Sequence, residues 1–192
     1  MARPAHQNPF RTSRLHALRF RYPEGDTEDA LLRRLEAHGG RGAIVGPHGS
    51  GKTTLCLELA ARFRAEGLDV RMLRYGDGTS LCRPHSLRAW IAGAGARSAL
   101  IVDGAGHLGP LAWWNLLRRS KRAARVLATA HGRCPFPAIL RTTTSTSLFD
   151  ELCTSLGQPM PGGDSAALLA AHRGDVRAAL RTLYDAWAEA RP

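Results

Sequence analysis

"RGAIVGPHGSGKTTLCLELAARFRAEG", residues 41–67, decides how the rest of the chain is read. Ala43-Ile44-Val45 is a short apolar run of the kind that forms a buried strand. Gly46 to Thr53 then satisfies the spacing G-x-x-x-x-G-K-[ST], and Leu55, Leu59 and Phe63 follow at helical spacing. Strand, glycine-rich loop and helix therefore come in the order a phosphate-binding loop requires. Gly49 and Gly51 let the backbone take dihedrals closed to other residues and approach a phosphate closely. The loop N–H groups converge at a helix N-terminus, where the dipole favours an anion. Lys52 is expected to reach the β- and γ-phosphates and Thr53 to offer its hydroxyl to Mg²⁺. Gly46, Pro47, His48, Gly49, Ser50, Gly51, Lys52, Thr53 and Thr54 are the expected nucleotide-binding residues.

Beyond the loop, "LDVRMLRY" (68–75), "ALIVD" (99–103), "RVLATAH" (125–131) and "AILRTTTS" (138–145) read as further strands. "SLRAWIAGAG" (86–95), "LAWWNLLRRSKRAA" (111–124) and "TSLFDELCTSLG" (146–157) read as helices between and after them. "GDTEDALLRRLEAHGG" (25–40) predicts a helix ahead of the first strand, with Leu31, Leu32 and Leu35 inward. Strands alternating with helices imply an α/β fold, a three-layer parallel sheet between helix layers. "GGDSAALLAAHRGDVRAALRTLYDAWAEA" (162–190) predicts two short helices, the second capped by Asp175.

"GPHGSGKT" resembles the Walker A motif of P-loop NTPases, and "ALIVD" resembles a Walker B strand. On that match Asp103 is the carboxylate that holds Mg²⁺ through water. One full strand–helix unit separates the two motifs, which resembles the branch containing AAA+, ABC and RecA-like ATPases. No Asn-Lys-x-Asp guanine motif is present. Thr129 resembles the AAA+ sensor 1, and His131 resembles the switch histidine of ABC proteins. "GDVRAALRTL" resembles the sensor 2 segment of AAA+ lids, making Arg177 a candidate γ-phosphate contact. The resemblance covers residues 24–187 and implies a P-loop ATPase core over 24–157. A basic, partly disordered segment over 1–23 precedes it, and a small helical lid over 158–192 follows.

The chain departs from the pattern in three places. Gly104 stands where many ATP-splitting proteins carry a Glu that polarises the attacking water. "GRCPFP" between the last two strands is too short for a helix bearing an arginine finger, which leaves Arg133 and Arg141 as nearby candidates. The lid has two helices. No acid other than Asp103 occurs from 78 to 149, so the missing base is sought in Asp77 after the second strand, ahead of Glu58 and His107, or in another subunit.

The 192 residues carry a net charge of +11, and their 27 basic side chains are two Lys and 25 Arg. Between Asp77 and Asp150 lie ten of these cations and one acid, a field that attracts polyanions. "RRSKRAAR" places Arg118, Arg122 and Arg125 at helical spacing, with Arg119 and Lys121 alongside, a candidate contact for nucleic-acid phosphates. Four widely spaced Cys form no C-x-x-C pair and are expected to be reduced thiols. No apolar run of 18 residues and no signal-like h-region occur, so a cytoplasmic protein without a membrane partner is expected. These features suit an AAA+-like hydrolase that uses Mg-ATP to switch a protein or nucleic-acid partner, itself in a homo-oligomer or bound to another protein. A nucleotide-binding adaptor with little turnover stays open, as does a small-molecule or polynucleotide kinase. The scarcity of mid-chain acids counts against the kinase.

Overall fold

The computed structural model describes residues 5–75, 84–158 and 164–189. In chain order it holds α1 (Thr12–Ala17), α2 (Glu28–Ala37), β1 (Arg41–Val45), α3 (Lys52–Ala65), β2 (Asp69–Arg74), α4 (Pro84–Ile91), β3 (Ser98–Asp103), α5 (Pro110–Arg119), β4 (Arg125–Ala130), β5 (Ala138–Arg141), α6 (Thr146–Ser155), α7 (Asp164–Ala171) and α8 (Val176–Glu189). The five strands form one sheet in the order β2-β3-β4-β1-β5, and every pair is parallel. The strand that precedes the glycine loop and the strand that ends in Asp103 are not neighbours. β4 lies between them.

The described chain divides into two compact units. One contains residues 22–46 and 55–142; the other contains residues up to 21, 47–54 and from 143 onward. In the first unit β1, β3 and β4 are buried almost end to end, as strands covered on both faces must be. Side chains alternate between the faces. Ala43, Val45, Leu100, Val102, Val126 and Ala128 pack with Leu87 and Ile91 of α4 and Leu116 of α5. On α2 and α3, Leu31, Leu35, Leu55, Leu59 and Phe63 are fully buried, and α2 packs on β1 and β5. Thr27 caps α2 by accepting from the Ala30 amide at 3.1 Å, and Arg34 of α2 donates to the Ile139 carbonyl of β5 at 2.8 Å.

The second unit has its own core. Phe149 and Cys153 of α6, Leu169 of α7 and Val176, Ala179 and Leu180 of α8 enclose Phe10, with Leu15 and Leu18 packed at the edge. Asn8 is fully buried there; it donates to the Tyr184 carbonyl at 2.9 Å and accepts from the Phe10 amide at 2.9 Å. The apolar residues of α6 thus serve the helical unit. Burial pushes the Cys153 thiol up to about 11, with Asp150 adding to the rise, so it remains a thiol at neutral pH.

The basic helix is shorter than its pattern predicts. α5 ends at Arg119, a single 3₁₀ turn spans Ser120–Arg122, and Arg125 opens β4. Ser120 is the reason: its side chain is buried and its hydroxyl donates to the Leu116 carbonyl at 2.5 Å, closing the last turn. Arg125 therefore leaves the expected stripe. Its guanidinium pairs with Glu66 at 2.5 Å and Glu36 at 3.3 Å and lies 4.6 Å from the Phe63 ring centroid. A hydrogen bond from Arg62 holds the Glu66 carboxyl below its ordinary range, and Arg125 adds to the effect.

Candidate functional site

In the sheet unit, parallel pairing brings the carboxyl ends of all strands to one edge. Arg74 of β2 is in register with Asp103 of β3, and Ile44 of β1 with Thr129 of β4. Asp103 is 7% exposed. Its Oδ1 accepts from the Thr129 hydroxyl at 2.8 Å, and its Oδ2 lies 3.4 Å from Arg74 Nε. The Thr129 oxygen in turn accepts from the Gly104 amide at 2.7 Å. Thr129, read from sequence as a phosphate sensor, thus directs its proton to Asp103 and fixes that carboxylate's orientation. His131, just past β4, places Nδ1 3.1 Å from the Gly46 carbonyl, with the His107 ring edge-on at 6.3 Å. Arg133, ahead of β5, and Arg141, its last residue, are both exposed.

The residue after Asp103 explains the missing acid. Gly104 has φ of 81°, the left-handed region that a side chain makes costly. A Cβ there would overlap the carbonyl oxygen of Tyr75, which pairs its own amide with the Asp103 carbonyl at 2.7 Å. No Glu fits at this position without moving the end of β2. Asp77, the expected substitute, lies outside the described residues.

In the helical unit the loop from Pro47 to Thr54 folds on itself. Ser50 donates its hydroxyl to the Pro47 carbonyl at 2.8 Å, and Lys52 donates to the same oxygen at 2.5 Å. Lys52 is 7% exposed, so its ammonium is held within the loop. Pro47 and His48 are exposed, while Thr53 and Thr54 are half-buried at the first turn of α3. Gly49 has φ of 71°. A Cβ on it would overlap the Asp175 carboxylate and lie 2.7 Å from the Val176 nitrogen and 3.0 Å from the Arg177 nitrogen. The start of α8 thus rests directly on the loop. Asp175 caps that helix, accepting from the Arg177 amide at 2.9 Å and the Ala178 amide at 3.1 Å. Arg177 itself is exposed. The Phe20 ring would meet a Cβ on Gly51 at 3.0 Å, so an aromatic ring borders the loop as well.

Two features escaped the sequence. Arg74 lies beside Asp103 because β2 and β3 pair in register, and only the pairing reveals it. Trp114, on an otherwise amphipathic helix, is 50% exposed; its neighbour Trp113 packs inward against Phe136, and the repeat of two Trp hides the difference.

No protein-family model matches the chain, and no curated protein matches it in sequence. In fold it is similar to a variant of RuvB from Thermotoga maritima, with a TM-score of 0.58 and 18% sequence identity. The match covers 84% of this chain and 61% of that one, so this chain spans less than two thirds of that protein's length. At this identity the likeness is one of fold, and it supports a P-loop NTPase fold with a five-stranded parallel sheet. Among the described residues no helix is long and apolar enough to cross a membrane.

Proposed function

We propose that this chain is an ATP-binding switch of the AAA+-like kind, which hydrolyses Mg-ATP slowly and acts on a protein or nucleic-acid partner. The observation that carries the reading is the loop itself, with left-handed Gly49 and Gly51, a buried Lys52 at the start of α3, and the N-terminus of α8 seated on Gly49. A magnesium ion among nucleotide phosphates needs one or two carboxylates and otherwise keeps water. On the motif match, Asp103, held by Thr129, would be its carboxylate, and Thr53 its hydroxyl donor. Bound there, Mg²⁺ would offset charge on the β- and γ-phosphate oxygens.

In this reading Lys52 and the loop amides hold the phosphates, Thr129 keeps Asp103 aimed, and His131 fixes the carbonyl of Gly46 where the loop begins. Arg177 reads the γ-phosphate from the first turn of α8. Because that turn already touches Gly49, occupancy of the loop would bear on α8 directly, which makes nucleotide state available to a partner. The left-handed Gly104 supports slow turnover, since no acid can stand next to Asp103 to position water. Asp77 or a neighbouring subunit would supply that group.

Phosphate release from Mg-ATP by the wild type, Lys52→Ala and Asp77→Ala tests the reading. Slow release that disappears in both variants supports an ATPase with its base after β2. Binding without release in the wild type would favour the adaptor, and γ-phosphate transfer to an acceptor would replace the reading with a kinase.

A further inference from the structure

We infer that the groove between the C-terminal ends of α4 and α5 binds the backbone of single-stranded nucleic acid, with Trp114 as the platform for a base. The groove has a volume of about 410 Å³ and is lined by Ile91–Ala94 on one side and by Arg118, Arg119, Lys121 and Arg122 on the other. All four cations are exposed. Among the described residues no salt bridge involves any of them. The contrast with Arg125 is direct, since that residue is committed to Glu36 and Glu66.

Two further contacts prepare the groove for an anion. Carbonyls at the end of a helix carry partial negative charge, which would repel phosphate. At the end of α4 they are covered by Arg71, whose guanidinium donates to the Ala92 carbonyl at 2.9 Å and reaches those of Trp90 and Gly93. Arg71 also pairs with Asp69 at 2.9 Å, the acid on the same element. At the end of α5 the carbonyls of Ser120 and Lys121 accept from Arg41 at 3.1 and 2.9 Å. The outward charge of the groove is therefore that of its four cations.

Trp114 distinguishes single strands from other polyanions. It lies one helical turn before Arg118 on the same face, with the Arg118 guanidinium 5.1 Å from its ring centroid. Leu111, 57% exposed, extends this face by a further turn. An exposed indole beside unpaired cations suits an unstacked base followed by its phosphates; a duplex keeps its bases stacked away from it, and an acidic peptide has no use for a stacking face. Naming this as the partner of the switch rests on the reading above, whereas the binding requires no ATP.

The test is the anisotropy of labelled oligo-dT and oligo-rU against salt, without nucleotide, alongside a matched duplex. With four phosphate contacts on a single strand the salt slope is about −2.8, so raising salt from 50 to 200 mM weakens binding about 50-fold. The double variant Arg118→Ala/Arg122→Ala is expected to halve the slope, leaving a loss of roughly sevenfold over the same range. Trp114→Ala is expected to weaken the single strand about tenfold without changing the slope, and Arg118→Lys/Arg122→Lys to keep it. All substituted residues are exposed, and retained thermal unfolding and Mg-ATP binding confirm the fold. An unaltered slope in the Arg variant, duplex binding as tight as single strands, or anionic vesicles bound while oligonucleotides are not would each overturn the proposal. Loss of ATP binding in the wild type with oligonucleotide binding intact would overturn only the nucleotide reading.

Discussion

Gly49 and Gly104 share nearly the same backbone conformation, with φ of 71° and 81°, and they do opposite things. At Gly49 the missing side chain lets the start of α8 settle onto the phosphate loop. At Gly104 the missing side chain lets β2 close over the end of β3, and this removes the place where a water-activating acid would stand. One glycine makes the contact through which, in the proposed reading, nucleotide would be sensed; the other leaves Asp103 without a second acid beside it. A glycine in a motif therefore has no single meaning, and its neighbours across the fold supply it.

The strongest way to break this comparison is to supply the acid. Gly104→Glu is expected to destabilise the protein by roughly 3–5 kcal/mol, from left-handed strain together with overlap onto the Tyr75 carbonyl, and to give no gain in phosphate release. Thermal unfolding and a turnover assay check both halves, and a stable, faster variant would refute the closed-off position. Gly49→Ala comes next, at about 2–4 kcal/mol from strain and the clash with the Asp175 turn; a truncation of the Asp175 side chain combined with it should recover part of the loss in denaturant unfolding. Thr129→Val sharpens the comparison at the sheet edge. It removes the donor to Asp103 and the acceptor for the Gly104 amide, for about 1–3 kcal/mol, and should weaken the Mg²⁺ dependence of nucleotide binding. Arg74→Gln is expected to change stability by under ~1 kcal/mol, because the pair it forms with Asp103 is half exposed on the Arg side. It should lower the Mg²⁺ concentration needed for ATP binding by a few fold, measured by titration.

Local pattern made the fold legible. The apolar runs at Ala43–Val45 and Ala99–Val102, the spacing of Leu55, Leu59 and Phe63, and the cap Asp175 all report on neighbours within a few residues along the chain. The strand–helix unit between the first and third strands was legible too. What stayed hidden depends on residues far apart in sequence. Arg125 follows Arg118 and Arg122 at helical spacing, yet it pairs with Glu36 and Glu66, and the buried Ser120 ends the helix before it. Thr129 stands at the strand end where a phosphate sensor is expected, and the donation of its hydroxyl to Asp103 on the neighbouring strand shows only once β3 and β4 are paired. The absence of Glu after Asp103 was plain in the sequence, and its cause, the Tyr75 carbonyl, was not.

The central claim is that the Gly46–Thr54 loop binds Mg-ATP with help from Asp103. Equilibrium titration of a fluorescent ATP analogue, with and without Mg²⁺, on the wild type, Lys52→Ala and Asp103→Asn tests it most directly. The account predicts Mg²⁺-dependent binding that weakens about 10- to 100-fold in Lys52→Ala, the cost of one charge-assisted contact, and binding in Asp103→Asn that no longer responds to Mg²⁺. Binding of equal strength in all three proteins, or none in the wild type at millimolar nucleotide, would contradict it.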